Sequence, residues 1–297
     1  MILKQKIVVL GHSGFIGSHL ERLLLMSSNW DVIGCSLPDI DLTNKEQASR
    51  LIPFFLPETT LVLAAAVKRQ FGDTLEAYMQ NMAIIENICR LLEKHPIKRV
   101  IFMSSAAVYG EETENTNISE LTPVNPTSYY GINKYTAERL LRKVCTANQK
   151  TSLVCLRPPL VYGPHDQGRT YGPSGFSAAA LDGTLITLWG DGTELREFIY
   201  IEDLCQIIEF LADNDFDSEL NVVSGTQYCF VDAVKILKEK IPSLEVNTRP
   251  RSKQKANNAF DARNIKALLP ADFRFTSLEE GLTKILDQNI PPFTSEH

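Results

Sequence analysis

Three residues near the middle of the chain have side chains that could perform acid–base chemistry: Ser105, Tyr130 and Lys134. Tyr130 and Lys134 are four residues apart, so they share one face of a helix. A free tyrosine has a pKa of about 10, but a nearby ammonium group stabilises the phenolate and lowers that pKa. The pair can therefore exchange a proton with a substrate near neutral pH, and the Ser105 hydroxyl can hold the substrate oxygen beside Tyr130. The competing interpretation is a chance pair on an exposed helix.

A glycine-rich stretch near the N-terminus predicts a phosphate-binding loop. In "VVLGHSGFIGSHL", Gly11, Gly14 and Gly17 lie between an apolar run and a helical pattern. Gly11 permits a tight turn, Gly14 lets the backbone approach a pyrophosphate, and Gly17 lets the helix pack closely on the sheet. The helix N-terminus then offers its free amides to the phosphates. A tight turn without a ligand is the alternative.

Short apolar runs alternate with helical patterns through the first half of the chain. Strands are predicted at 6–11, 30–36, 60–67, 99–105 and 151–157, and helices at 17–27, 44–55, 74–95 and 128–148. Strands that are apolar throughout indicate a parallel sheet covered on both faces, so we predict a doubly wound α/β (Rossmann) fold. Its carboxyl edge, where such folds bind ligands, would carry Ser105 at the end of a strand.

The pattern changes after about residue 160, where a stretch rich in proline and glycine predicts a loop. We expect a dinucleotide-binding domain over 1–162 and a smaller C-terminal α/β substrate lobe over 163–297, with 197–224 returning to the main sheet.

Composition and charge exclude several functional classes. The net charge is −6, unlike the basic surface of a nucleic-acid-binding protein, so no nucleic-acid partner is expected. The apolar runs are too short to span a membrane, and the N-terminus shows no signal-peptide pattern. The six cysteines form no C-x-x-C pair, so we predict no metal site and a reducing, cytoplasmic location.

Five segments together resemble the NAD(P)-dependent sugar epimerase/dehydratase family, in the extended branch of the short-chain dehydrogenase/reductase superfamily. They are "GHSGFIGSH", "VIFMSSAAVYG", "YYGINKYTAE", "LRPPLVYGP" and "REFIYIEDL". The resemblance implies that Ser105 positions the substrate hydroxyl or keto group and that Tyr130 transfers the proton. It also implies that Lys134 tunes Tyr130 and holds the nicotinamide ribose. Ser104 and Tyr129 are the less favoured neighbours, since Asn133 rather than a lysine follows Tyr129 by four residues.

The same resemblance implies a set of residues around an NAD(P) cofactor. They are the loop residues Gly11, Gly14, Phe15, Ile16 and Gly17, then Asp41 and Leu42 at the adenine, Ala64 and Ala65 at the end of a strand, Asn81, and Pro158 beside the nicotinamide. Asp41 could instead be a turn residue, and Asn81 a structural one.

The end of the second predicted strand carries no clear mark of cofactor preference. An acid there would bind the ribose 2′-hydroxyl of NAD. Asp31 lies at the start of this strand, which is the wrong end, and the strand ends at Cys35 and Ser36. Ser36 could bind either cofactor. Because the acid is missing, we favour NADP(H) over NAD, with both left open.

The substrate side of the site is expected to hold a nucleotide-diphosphate sugar. Arg196 matches an arginine that binds the substrate diphosphate in this family, a role that suits the forked guanidinium group. Arg249 is a second candidate for this role. An ion pair with Glu194 or Glu197 is the alternative for Arg196. Leu160 replaces an asparagine that the family often has near the sugar.

Two departures from the family narrow the reaction. Dehydratases carry an acid pair where this chain has Ala106 and Ala107, and GDP-fucose synthases add a cysteine and a histidine that are also missing. Hydride chemistry at the sugar C4 carbon remains. We favour a 4-keto-6-deoxy-sugar-nucleotide reductase, with a nucleotide-sugar 4-epimerase that retains NAD as the alternative.

Two alternative functions that involve no catalysis remain: a dinucleotide-binding sensor and an interaction scaffold. The resemblance also implies a homodimer through helices 74–95 and 128–148, which is compatible with catalysis.

Overall fold

A computed structural model describes residues 4–67, 72–166, 171–251 and 254–289 of the chain. Its strands are β1 Gln5–Leu10, β2 Trp30–Cys35, β3 Thr60–Leu63, β4 Arg99–Met103, β5 Asn115–Ile118, β6 Ser152–Arg157, β7 Leu160–Tyr162, β8 Ile186–Trp189, β9 Leu195–Arg196, β10 Phe198–Tyr200, β11 Glu219–Asn221, β12 Tyr228–Cys229, β13 Val246–Arg249 and β14 Asn258–Phe260. Its helices are α1 Phe15–Ser27, α2 Lys45–Ala48, α3 Leu75–Lys94, α4 Tyr129–Asn148, α5 Pro173–Leu181, α6 Ile201–Asp213, α7 Phe230–Lys240, α8 Arg263–Leu268 and α9 Leu278–Asn289.

The main sheet has six parallel strands in the order β11-β6-β4-β3-β1-β2. Successive residues of each strand point to opposite faces, so both faces need apolar side chains. In β1, Ile7 and Val9 pack towards α1 and α6, while Val8 and Leu10 pack towards α3 and α4. The doubly wound α/β fold predicted from the sequence is therefore confirmed.

Two strands end earlier than predicted, at the carboxyl edge of the sheet. β3 ends at Leu63 rather than at residue 67, and β4 ends at Met103 rather than at residue 105. Ala64, Ala65 and Ser105 therefore lie just beyond their strands. The Ala64 amide still donates to the Leu10 carbonyl at 3.0 Å, and all three residues line the cavity described below.

The helix predicted at 44–55 is only partly α-helical. Asn44 caps it, since its side chain accepts a hydrogen bond from the Gln47 amide at 2.9 Å. The α-helix ends at Ala48, and Ser49–Phe54 continue as a 3₁₀ helix that contains Pro53. Proline has no amide hydrogen, so it cannot take part in a regular α-helical ladder.

Short strand pairs and three helices lie outside the main sheet, and we call this group the second lobe. β8 pairs with β13, β9 with β12, β10 with β7, and β14 with β5, while α5, α7 and α9 pack together. From the segment 197–224, β10 lies in this lobe, α6 packs on α1, and β11 forms one edge of the main sheet. In the predicted loop, Leu160–Tyr162 form β7, and 167–170 lie outside the described residues.

Within the described ranges, none of the helices has the length and apolar character needed to cross a membrane. All six cysteines are free thiols, and five of them are buried in the two cores.

Candidate active site

The glycine loop joins β1 to α1 with very little space between backbone segments. Gly11 has φ +86°, a conformation that favours glycine, and its amide donates to the Cys35 carbonyl at 2.8 Å. A Cβ atom on Gly17 would lie 2.1 Å from the Gly11 carbonyl oxygen. At Gly14, by contrast, the only close atom to an added Cβ is that same oxygen, at 3.2 Å. The loop is therefore tight against the protein but open on the side of Gly14, where the first amides of α1 are exposed.

A single cavity of about 1160 Å³ runs from this loop to the second lobe. It brings together most of the residues singled out in the sequence, from elements far apart in the chain. Those lining it are Gly11, Gly14, Phe15, Ile16, Gly17, Ser36, Asp41, Leu42, Ala64, Ala65, Ser105, Tyr130, Lys134, Pro158, Leu160 and Arg196. Asn81 and Arg249 do not line it.

Tyr130 and Lys134 lie in the middle of the cavity, on the first turns of α4. The Ser128 hydroxyl caps this helix by accepting from the Gly131 amide at 3.0 Å, and Asp73 accepts from the Tyr130 amide at 2.9 Å. The Lys134 ammonium lies 5.6 Å from the centre of the Tyr130 ring. That separation places a cation beside the phenol, as the four-residue spacing predicts.

The Lys134 side chain is almost fully buried. Its ammonium donates to the Met103 carbonyl at 2.6 Å and lies 5.0 Å from the centre of the Phe102 ring. Burial lowers the pKa of Lys134 to about 8, and the Glu138 carboxylate opposes this shift. Lys134 therefore keeps its proton at neutral pH but is close to its titration range.

Ser105 lies just beyond β4 and begins a 3₁₀ helix, Ala106–Tyr109. Its hydroxyl oxygen accepts from the Ala107 amide at 3.1 Å, which leaves the hydroxyl hydrogen available to a substrate oxygen. The neighbouring Ser104 is committed elsewhere, since its hydroxyl donates to Glu138 at 2.5 Å in the protein interior. Of the two serines, Ser105 has the hydroxyl better suited to act in the cavity.

The end of the cavity formed by the glycine loop, which we call the glycine-loop end, also includes Ser36, Asp41, Leu42, Ala64 and Ala65. The Ser36 hydroxyl donates to the Leu37 carbonyl at 3.3 Å, a long bond that a ligand could replace. The Asp41 carboxylate accepts from both the amide and the hydroxyl of Thr43, at 2.9 and 2.7 Å. Asp41 is thus a turn residue that also faces the cavity.

Asn81 does not reach the cavity. Its amide side chain brackets the backbone of Val67, accepting from the nitrogen at 2.7 Å and donating to the oxygen at 3.2 Å. The predicted direct contact with a cofactor is therefore replaced by a structural role: Asn81 holds the loop that follows β3. This is the alternative that the sequence left open.

Arg196 lies at the opposite end, the arginine end, with its guanidinium facing the cavity. It donates to the carbonyls of Leu195 and Ala256, and burial lowers its pKa. Glu194 is paired with Arg251, and Glu197 accepts from the amides of Ser224 and Gly225. Both carboxylates have other partners, while the negative charge of Glu194 also acts on Arg196 by opposing the effect of burial on its pKa.

The second arginine at this end is Arg251 rather than Arg249. Arg249 is exposed, and its guanidinium stacks 3.3 Å from the centre of the Trp189 ring, outside the cavity lining. Arg251 lines the cavity and is anchored by ion pairs with Glu194 and Asp191. The motif "NTRPR" contains both arginines, and the one-residue proline spacer gave no sign of which would face inwards.

Three aromatic residues at the arginine end were missed in the sequence: Tyr171, Trp189 and Phe230. The Tyr171 and Phe230 rings are 4.6 Å apart, and the Tyr171 hydroxyl accepts from the Trp189 amide at 3.0 Å. Aromatic residues scattered over three segments carry no sequence signal of a common site. In the described part of the chain, no group of three or more His, Cys, Asp and Glu side chains is arranged to hold a metal ion.

Comparison with known proteins agrees with this arrangement. A UDP-glucose epimerase of Bacillus subtilis, itself uncharacterised, is 29% identical, with 94% of this chain and 96% of that protein aligned. GDP-6-deoxy-D-talose 4-dehydrogenase of Aggregatibacter actinomycetemcomitans is 26% identical over 96% and 98% of the two chains. The UDP-glucose 4-epimerase of Thermus thermophilus in complex with NAD has the same fold, with a TM-score of 0.82, 23% identity and coverage of 95% and 98%. Residues 7–223 match the NAD dependent epimerase/dehydratase family, and the chain belongs to that family.

Proposed function

We propose that the protein is an NAD-dependent oxidoreductase that acts at the C4 carbon of a nucleotide-diphosphate sugar, and that it works as a 4-epimerase. The observation that carries the proposal is the position of the Tyr130–Lys134 pair. The pair lines one cavity together with the glycine loop at the start of α1 and with Arg196 and Arg251. A dinucleotide and a nucleotide sugar would meet at this pair.

The glycine-loop end has the shape that a dinucleotide requires. An added Cβ on Gly11 or Gly17 would collide with backbone, whereas the space beside Gly14 is open to a phosphate. The first amides of α1 supply hydrogen bonds and the positive end of the helix dipole. Lys134 would hold the nicotinamide ribose, and Pro158 would lie beside the nicotinamide ring. When bound, the nicotinamide exchanges a hydride with the sugar C4 carbon.

The protein's own groups handle the proton. Ser105 donates its hydroxyl hydrogen to the sugar O4 oxygen and so places that oxygen beside Tyr130. The Tyr130 oxygen takes the O4 proton as the sugar is oxidised and returns it as the sugar is reduced. The Lys134 cation favours the phenolate form that takes the proton.

NAD(H) fits the glycine-loop end better than NADP(H), against the preference drawn from the sequence. Among the described residues lining this end, the polar side chains are Ser13, Ser36, Asp41 and Thr43, and none is cationic. A 2′-phosphate needs positive partners, whereas a 2′-hydroxyl needs only neutral or acidic ones. This supports NAD, which is also the cofactor in the Thermus thermophilus complex.

A preference for NAD supports the epimerase over the reductase. An epimerase is redox-neutral, because the reducing equivalent taken from C4 is returned to C4 on the other face. A reductase consumes a reduced cofactor in each cycle. The 4-keto-sugar reductase remains the second candidate, because the GDP-6-deoxy-D-talose 4-dehydrogenase aligns over nearly its whole length.

The test uses purified protein without added cofactor. We expect mass spectrometry of the denatured protein to find NAD in near-equal amount to the chain, and we expect the protein to interconvert C4 epimers within a panel of UDP-, GDP- and dTDP-hexoses. Release of no dinucleotide, with NADPH-dependent reduction of a 4-keto sugar, would support the reductase instead. Failure to bind either dinucleotide would contradict both candidates.

We also propose that the protein is a homodimer through α3 and α4. Ile84, Ile88 and Leu91, apolar residues of α3, are buried within the chain itself. The exposed apolar residues of these helices are Leu75, Met79, Tyr129, Ile132 and Leu140. Their exposure supports a four-helix interface, because water-exposed apolar patches favour association. Light scattering should give twice the chain mass, and Met79→Lys with Ile132→Lys should give the monomer.

A further inference from the structure

The face of α4 that carries Tyr130 and Lys134 continues to a third polar residue. Tyr130, Lys134 and Glu138 are spaced at intervals of four, so they lie on one side of the helix. The proposed function gives roles to the first two and none to Glu138. Its side chain is only 1% exposed, and a buried carboxylate is costly unless its partners compensate for the lost water.

Glu138 is the centre of a buried chain of hydrogen bonds. It accepts from the Ser104 hydroxyl at 2.5 Å and from two nitrogens of Arg157 at 2.9 and 2.6 Å. Arg157 also donates to the Tyr109 hydroxyl at 2.8 Å, and Tyr109 in turn donates to Asn221 at 2.8 Å. All five side chains are at most 5% exposed, so solvent does not weaken these contacts.

This network joins the three segments that form the middle of the cavity. Ser104 and Tyr109 flank the segment that presents Ser105, and Glu138 is one turn from Lys134 on α4. Arg157 directly precedes Pro158, whose carbonyl accepts from the Ala106 amide at 2.9 Å. The relative positions of Ser105, Lys134 and Pro158 therefore depend on hydrogen bonds that meet at Glu138.

Glu138 also affects the charge state of Lys134. Its carboxylate is the charged group that opposes the effect of burial on the pKa of Lys134. Three elements place described groups around Lys134. On α4 these are Tyr130 and Glu138, and on β4 and just after it they are the Phe102 ring, the Met103 carbonyl, Ser104 and Ser105. Further out, Arg157 of β6 is bound to Glu138, and Tyr78 of α3 lies against Tyr129. The acidic member of this group is Glu138.

We propose that Glu138 is a positioning residue of the active site. Through Ser104 and Arg157 it holds Ser105, Lys134 and Pro158 in register, and its negative charge keeps Lys134 protonated. This inference rests on the proposed function for the roles of Ser105 and Lys134. It predicts two separable effects, one of charge and one of geometry.

The effect of charge is tested without substrate. NMR of isotope-labelled lysine side chains reports the titration of Lys134, with its signal assigned by its loss in Lys134→Arg. We expect Glu138→Gln to lower the pKa of Lys134 by about 1 unit, the typical scale of environmental shifts. The matched variant Tyr109→Phe removes a hydroxyl from the same network, keeps the Glu138 charge and should leave that pKa unchanged. An unchanged pKa in Glu138→Gln, or an equal shift in both variants, would overturn the charge role.

The effect of geometry is tested by kinetics. Glu138→Asp keeps the charge but shortens the side chain, and Ser104→Ala removes one anchor. Both should lower kcat by at least about tenfold, with KM for the sugar unchanged, because small displacements at a reacting centre are costly. Unaltered kcat in both would overturn the positioning role, and these two variants decide it even if Glu138→Gln fails to fold. An inactive wild type would contradict the proposed function but leave the NMR result intact.

Discussion

The two ends of the cavity are built by different means. At the glycine-loop end, the groups that we propose to face the ligand are backbone amides, since Gly11, Gly14 and Gly17 carry no side chains. At the arginine end, they are the side chains of Arg196 and Arg251, held by carbonyls and carboxylates from other segments. A backbone site depends on local conformation, whereas a side-chain site depends on distant partners. Mutations should therefore affect the two ends separately, with the proton-transfer pair between them.

The largest effect is expected between the two ends, at Tyr130. Tyr130→Phe removes only the hydroxyl that transfers the proton. Turnover should fall by about 10² to 10⁴, the usual contribution of general acid–base catalysis, with NAD affinity retained. Tyr129→Phe is the matched control, because Tyr129 is the adjacent, exposed tyrosine and should retain activity. Turnover in Tyr130→Phe close to that of the wild type would show that another group moves the proton.

At the glycine-loop end, Gly17→Ala should abolish NAD binding. The new Cβ would lie 2.1 Å from the Gly11 carbonyl oxygen, and because that neighbour is backbone the loop itself must move. Overpacking of this kind costs about 1–3 kcal/mol of folding stability, so the free energy of unfolding should also fall. NAD binding is measured by calorimetry, where we expect no detectable heat. Met26→Ala is the control, since Met26 lies on the same helix and is 78% exposed. Normal NAD binding by Gly17→Ala would mean that the loop is not the dinucleotide site.

At the arginine end, Glu197 should make stability depend on pH. Burial raises its pKa from 4.5 to about 7, so the folded protein holds this proton more tightly than the unfolded chain does. The associated stability is complete below about pH 4.5 and is lost as the pH rises towards 7. Glu197→Gln resembles the protonated form. It should match the wild type near pH 4.5 and exceed it at pH 8 by a free energy of unfolding on the order of 3 kcal/mol.

Urea denaturation of both proteins across this pH range gives the comparison. A difference between Glu197→Gln and the wild type that stays constant with pH would show that Glu197 has the same pKa in the folded and unfolded states.

Arg196→Gln should weaken the binding of the substrate without weakening the binding of the cofactor. Hydrogen bonds to charged groups contribute about 1.5–3 kcal/mol, so KM for a nucleotide sugar should rise between about tenfold and a hundredfold. NAD affinity should be unchanged, because Arg196 lies at the other end of the cavity. An equal loss of NAD affinity would show that the two ends are not independent.

The smallest effect is expected in a comparison of Arg251 with Arg249, the two arginines of the motif "NTRPR". Arg251→Gln should raise KM by several-fold and also release Glu194, whereas Arg249→Gln should leave KM unchanged. Arg249 should lose only its stacking on Trp189, worth about 0.5–1 kcal/mol of stability at an exposed site. Steady-state kinetics of both variants make the test. A larger KM effect for Arg249 would reverse our assignment of the substrate-facing residue.

The parts of the site that follow from local sequence were predictable. The glycine spacing, the Tyr130–Lys134 interval and the Asn44 cap each depend on residues a few positions apart, so their geometry follows from the chain itself. Asn81 and Arg249 lie outside the cavity lining, and the sequence did not show this for the opposite reason. Whether Asn81 meets a ligand or Val67 depends on the path of the loop after β3, and the choice between Arg249 and Arg251 depends on Trp189 and Glu194.

By itself, the sequence determined the parallel sheet, the glycine turn after β1 and the placement of Tyr130 and Lys134 on one face of α4, because each is encoded by spacing along one or two elements. Only the tertiary structure decided what surrounds them. It placed Glu138 between Ser104 and Arg157, gathered Tyr171, Trp189 and Phe230 at one end, and left the glycine-loop lining without a described cation. The physical reason is that the burial of a residue and the electrostatic field around it depend on every element packed against it. Those elements come from distant parts of the chain, so no single stretch of sequence reveals them.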